Sequence, residues 1–398
     1  MTDSVTPQPV ADSDRIHTLD VLRGAAVLGI LAVNAVAFAL PMAAEMAPEQ
    51  SPFPLVGASA VAKWVVETFF HQKFVTLFSM LFGVSIWLVG GNGQEPSRER
   101  VLRRRLMWLA AFGLIHGLAF WYGDILLLYA WAGVFVMLMR RMEARPLILI
   151  GVGATLALAT LQAAVVWGAA SGFSPLQEEA NTSDAVAASI AAYRSGWPGA
   201  LIENLKSWAF LQSASLMAYV FATIPLMMLG LGLFKTGFFH GRIPTWVYLS
   251  LIGAGGAVLT LLGVLEWLNL VQGRELGGWN EVVASYPLII TLAYASLLIL
   301  LTTRGVGWLR RLLAPVGRMA FTNYLTQTLI MTTLFYMPWG PRLMGQVDYP
   351  GQWAVVIAVW ALQLVWSPLW LAHFRMGPLE WLWRSLSYGR RLPLRRQS

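Results

Sequence analysis

Apolar residues run along this chain in long blocks, separated by short polar segments in which arginine recurs. A hydrocarbon core of ~30 Å needs roughly 20 apolar residues per helical crossing. The blocks predict ten spans, near 19–41, 61–90, 106–121, 124–139, 146–168, 207–233, 245–270, 284–303, 319–338 and 352–374. "FFHQKF" interrupts the second block with His71 and Lys73, which predicts a broken or re-entrant helix. Pro225 predicts a kink in the sixth, because proline removes a backbone donor.

The polar segments alternate in charge. With the N-terminus inside, the inner segments hold "RERVLRRR", Arg140, Arg141, Arg145, Lys235, Arg242, Arg304, Arg310, Arg311 and Arg318. The outer segments hold only Lys63, Arg194, Lys206, Arg274 and Arg342. Basic residues on one side are what the positive-inside rule requires, and one missed span would invert every later loop. The expected fold is therefore an all-α, polytopic integral membrane helix bundle with about ten transmembrane helices and both termini cytoplasmic. Residues 1–18 form a cytoplasmic tail, and 19–374 form a single transmembrane domain with an outer loop of short helices at about 169–206. Residues 375–398 carry "GPLEWLWRSLSYGRR", an interfacial amphipathic helix, and a basic tail.

Composition agrees. The chain is 57% hydrophobic and 12% charged, with a mean hydropathy of +0.60, where a soluble domain carries about a quarter charged residues. Its net charge of +8 sits in the short loops, so membrane lipids are the expected partners and nucleic acid is not. The absence of Cys excludes disulfides, thiolate metal sites and a Cys nucleophile; no metal site is expected. "MTDSVTPQPVADSDRIH" lacks a positive n-region, so the first span reads as an uncleaved helix.

Several intramembrane polar residues carry candidate chemistry, since such residues are functional hypotheses by default. His116 in "GLIHG" and Asp124 in "WYGDIL" flank a tight turn; they read either as a general-base pair or as the closure of a helical hairpin. His71 and Lys73 lie at the interruption of the second span, and Asn34 lies deep in the first. Asn34 could donate to a developing oxyanion or act as interhelical glue. Asp20 and Arg23 are three apart and can pair at the helix mouth. Asn323 and Gln327 share a helix face that either lines a cavity or binds another helix.

"RIHTLDVLRGAAVLGILAVN", "FVTLFSMLFG", "GLIHGLAFWYGDILLLYA", "GRMAFTNYLTQTLI" and "FRMGPLEWLWRSLSYGRR" resemble, in this order, the motifs of the YeiB-like bacterial inner-membrane family. The opening D-x-x-R-G is also similar to the first helix of transmembrane acyltransferases, the heparan-glucosaminide acetyltransferases and the acyltransferase-three superfamily. Asn34 stands eleven residues after Arg23, where the second group carries His and the first carries Asn at similar spacing. The resemblance implies a multi-pass protein of the bacterial inner (plasma) membrane that moves an acyl group from a cytoplasmic acyl-CoA. The acceptor would be a hydroxyl or amine of a small molecule or glycan at the membrane or outer face. His116, Asp124, Asn34 and His71 would be catalytic; Arg23, Asp20, Lys73, Asn323 and Gln327 would hold substrate. Acyl-CoA would be a co-substrate, with no bound cofactor. A transporter or flippase, and a non-catalytic scaffold, are the other readings. Nothing in the sequence speaks for a particular oligomer.

Overall fold

A computed structural model describes residues 16–170 and 183–396. Parts of the expected N-terminal tail (1–15) and outer loop (171–182) lie outside the described residues, as do 397–398. The described chain is helical, and its only β feature is an isolated bridge between Phe374 and Arg395.

The first six helices are α1 (His17–Ala39), α2 (Met42–Met46), α3 (Ala58–Phe69), α4 (Lys73–Gly90), α5 (Pro96–Ala119) and α6 (Leu126–Met139). Next come α7 (Ala144–Ala170), α8 (Ser183–Arg194), α9 (Trp197–Phe210), α10 (Leu216–Lys235) and α11 (Thr245–Glu266). The last six are α12 (Trp279–Ala284), α13 (Pro287–Thr303), α14 (Gly307–Arg318), α15 (Ala320–Phe335), α16 (Tyr349–His373) and α17 (Pro378–Tyr388). Five of these place proline at the first or second helical position, where its missing N–H and fixed φ cost nothing.

Each of the ten expected spans is helical over most of its length. Six stretches are long and apolar enough to cross a membrane, namely α1, α3–α4 together, α7, α10, α11 and α16. A seventh arises if α13 and α14 count as one span, although the chain bends by 119° between them. The others fall short for visible reasons. The arginine-rich start of α5 dilutes its apolar half, while α6 has 14 residues, roughly 21 Å of helix. The span interrupted at His71 does break there, since Gln72 takes a left-handed φ of +65° between α3 and α4. In the outer loop α8 and α9 part at Ser195–Gly196, and Pro198 sits in the first turn of α9.

α1 is the central element, buried along most of its length and packed against α4, α13, α14, α15 and α16. α7 and α11 lie at the rim and turn Leu149, Leu161, Val165, Leu249 and Leu261 outward, the apolar exterior that lipid requires. Small residues set the closest crossings. A Cβ on Gly24 would strike the Leu313 carbonyl of α14, and one on Gly317 would strike the Asp20 carbonyl in return. Gly83 of α4 and Gly230 of α10 meet the Met227 and Met80 carbonyls in the same reciprocal way.

The basic segments gather at one end of the bundle. Arg98 donates to the Val89 and Leu88 carbonyls at the end of α4, at 3.0 and 2.8 Å. Lys235 donates to the Arg140 carbonyl at 2.7 Å, and Arg140 itself pairs with Glu99. α17 docks on α5 through the Trp383 indole, which donates to the Arg105 carbonyl at 2.9 Å.

Candidate functional site: an arginine-lined cavity and two imidazole–carboxylate pairs

A cavity of about 600 Å³ opens among α1, α4, α5, α6, α15 and α17 at the basic end. Arg23, Arg98, Arg105, Arg318 and Arg384 line it, against the acids Asp20, Glu95 and Glu380. Aromatic and aliphatic side chains, among them Phe78, Phe82, Tyr129, Phe321 and Tyr324, form the rest of the wall. Cationic side chains beside apolar walls fit a ligand with an anionic head and an apolar or uncharged tail.

The arginines differ in how they are held. Arg23 pairs with Asp20 at 3.2 Å and reaches the Ser85 hydroxyl at 3.4 Å. Arg98 caps the end of α4, and Arg318 donates to the Arg375 carbonyl at 3.1 Å. The Arg105 guanidinium stacks 3.8 Å over the Trp383 ring and makes no ion pair among the described residues. Burial weighs most against its charge; Arg384 and Arg23 also oppose it, while Tyr388 and Glu380 favour it. An anion between these three arginines would relieve that repulsion.

Glu380 is buried at the start of α15. One carboxylate oxygen accepts from the Phe321 and Thr322 amides at 2.7 and 3.0 Å, the other from the Thr322 hydroxyl at 2.5 Å. Burial nonetheless pushes its carboxyl above the ordinary glutamate range.

His116 and Asp124 do meet, with Nδ1 and Oδ1 2.8 Å apart. The second nitrogen, Nε2, lies 2.9 Å from the Thr328 hydroxyl, and the other Asp124 oxygen accepts from the Leu127 amide at 2.8 Å. Both ring nitrogens are occupied, and the pair closes the α5–α6 hairpin against α15. Gly113 and Gly117 leave no vacancy beside it, because the start of α6 and Trp208 fill that space. His116 does not line the cavity; the Tyr324 ring stands between, 5.4 Å from the imidazole.

Asn323 and Gln327 are interhelical ties. The Asn323 amide donates to the Val316 carbonyl and Ser367 hydroxyl at 3.0 and 3.1 Å and accepts from Trp366 at 2.9 Å. Gln327 donates to the Val27 carbonyl at 3.2 Å and to Gln363 at 2.9 Å. Neither borders the cavity. Lys73 is 2% exposed and donates to the Glu67 carbonyl at 2.7 Å, closing the break in its own span. Asn34 is half-buried on α1, outside the cavity wall. Of the nine residues singled out in the sequence, only Asp20 and Arg23 line the cavity.

The second imidazole pair lies at the break between α3 and α4. His71 Nδ1 is 2.7 Å from Glu67 Oε2, and Lys63 Nζ is 2.6 Å from Glu67 Oε1. Nearby, the Tyr122 hydroxyl donates to Glu45 at 2.8 Å.

Comparison with known proteins bears on what these sites belong to. A protein of Bacillus subtilis (strain 168) named "Uncharacterized protein YxaH" is 32% identical over 96% of each chain. One of Escherichia coli (strain K12) named "Uncharacterized protein YeiB" is 33% identical over 94% of this chain and 96% of its own. The chain belongs to the YeiB-like family. The family model described as "Protein of unknown function (DUF418)" matches residues 231–390, which contain α14, α15 and α17 and with them Arg318, Glu380 and Arg384 of the cavity wall. No solved structure matches.

Arg105, Arg384 and Glu380 sit outside the apolar blocks of this YeiB-like sequence, where Glu380 and Arg384 read as an i,i+4 pair on an interfacial helix. Glu67 carries a usable signal, four residues before His71 on one helix face. Among the described residues no cluster of His, Asp or Glu could hold a metal ion.

Proposed function

We propose that this YeiB-like protein is a membrane-embedded acyltransferase of the bacterial inner membrane, with the basic end cytoplasmic and the cavity as its donor site. One observation carries the reading: a space of about 600 Å³ lined by five arginines and a set of aromatic and aliphatic side chains. An acyl-CoA presents phosphates at one end and a thioester at the other. Planar guanidinium forks suit the phosphates, and the aromatic interior suits the uncharged arm. The acceptor is a hydroxyl or amine of a small molecule or glycan at the membrane or outer face. The D-x-x-R-G opening supports the same assignment, since Arg23 lines the cavity.

Binding of acetyl-CoA to purified protein in nanodiscs tests it. Arg105→Ala should weaken binding at least about tenfold, the scale of a charge-assisted hydrogen bond to phosphate, and Arg105→Lys should restore little of it. Equal affinity in wild type and Arg105→Ala would remove the cavity as a donor site. Transport is the second reading, favoured by the 119° bend between α13 and α14 and the break at Gln72. Ligand accumulating in proteoliposomes without release of coenzyme A thiol would select it.

A further inference from the structure

We infer that His71 and Glu67 form a general-base dyad facing away from the basic end, where the acceptor hydroxyl or amine is deprotonated. This inference rests on the acyl-transfer reading above. A base must have a lone pair within reach of the substrate. At His71 the carboxylate takes Nδ1, at 2.7 Å, which leaves Nε2 as the proton acceptor. The carboxylate is itself fixed, because Lys63 holds its other oxygen at 2.6 Å. The imidazole side chain is 43% exposed, and among the described residues its second nitrogen has no hydrogen-bond partner.

The helix break is what presents the ring. α3 stops at Phe69, Gln72 takes its left-handed turn, and the buried Lys73 ammonium ties the new helix back to the Glu67 carbonyl. Strained backbone of this kind is characteristic of functional positions.

The donor site lies within reach along α4. Phe78 lines the cavity seven positions after His71, and α4 rises roughly 8 Å from Lys73 to Phe78. Phe74 stands between them, its ring seated on Gly29 of α1 and packed against Phe70 and Tyr294. An acyl arm that enters from the arginine rim passes Phe74 to meet the acceptor. There Nε2 takes the acceptor proton and the acceptor oxygen or nitrogen bonds to the thioester carbonyl carbon. The carbon–sulfur bond breaks, and the departing thiolate takes the proton back from the imidazolium. The products are an ester or amide and coenzyme A thiol.

The test is thiol release from acetyl-CoA by the full-length protein in nanodiscs, with hydroxylamine as the surrogate acceptor. His71→Ala should lower kcat about a hundredfold or more, the typical contribution of a positioned base, with the KM for acetyl-CoA unchanged. Glu67→Gln should lower kcat by less, and Glu67→Asp should recover part of the loss, since a shorter carboxylate can still orient the ring. An active wild type with an unchanged kcat in His71→Ala overturns the dyad and leaves the donor site standing. A wild type that releases no thiol overturns the acyl-transfer reading itself. A second readout is independent of turnover: the chain has no Cys, so His71→Cys carries a single thiol. A membrane-impermeant maleimide should label it in intact cells, and labelling only after the cytoplasmic face is exposed overturns the assignment.

Discussion

Two imidazoles in this molecule hold a carboxylate at nearly the same distance, 2.8 Å for His116–Asp124 and 2.7 Å for His71–Glu67, yet they are different objects. The first is sealed, with its side chains 3% and 0% exposed and every ring nitrogen matched to a partner. The second is open, with the imidazole 43% exposed and one nitrogen left over. Contact between an acid and a base is therefore a poor guide to chemistry in a bilayer. What separates the two pairs is the spare lone pair on His71.

Stability measurements break or sharpen this contrast, and the largest effect is expected at the sealed pair. His116→Ala leaves Asp124 buried without its partner and should cost ~3–5 kcal/mol, whereas His71→Ala should cost no more than ~1 kcal/mol. Unfolding of both variants in the same detergent checks the difference; equal losses would erase the distinction. A smaller effect separates the pairs in double-mutant cycles. His116 and Asp124 should couple by about 1–3 kcal/mol in stability, and His71 and Glu67 by less than about 0.5 kcal/mol.

The smallest effect concerns a carboxylate with no imidazole at all. Burial lifts Glu380 above its ordinary range, so the folded protein keeps a proton that the unfolded chain releases. Stability should fall as pH rises from the ordinary glutamate value, about 4.3, toward the raised one, and level off above it. Glu380→Gln should abolish that slope. A slope that persists in the variant would assign it to another group.

Much of the architecture was legible because lipid imposes a simple rule on the backbone. Helices cover all ten apolar blocks, and the basic segments converge at one end through contacts such as Lys235 with the Arg140 carbonyl. What escaped were helices that are not apolar. Pro96 and the Glu99–Arg103 pair begin α5 inside an arginine run that averages out as loop. Arg304 to Arg318 likewise read as loop, yet Leu309, Leu313 and Val316 recur at helical spacing and build α14 against α1. The site was legible in part. The Asp20–Arg23 and His116–Asp124 pairs follow from short separations in sequence. The occupancy of His116 does not, because Thr328 lies 212 residues away. Glu67 could have been found from its spacing to His71. Arg384 could not, since its place in the cavity depends on how α17 folds back onto α5.

That folding back governs how the protein can be handled. The wall formed by Glu380, Trp383, Arg384 and Tyr388 arrives after the last crossing of the chain. The segment beyond it is pinned as well: the Trp381 indole holds the Leu392 carbonyl at 2.7 Å, and the Arg396 amide reaches the His373 carbonyl at 3.2 Å. A reporter enzyme spliced in anywhere between Phe374 and Arg396 would give a correct reading of sidedness from a molecule whose cavity has lost its floor. Fusions meant for ligand binding belong after Arg396, and affinity measured on shorter chains would describe the truncation.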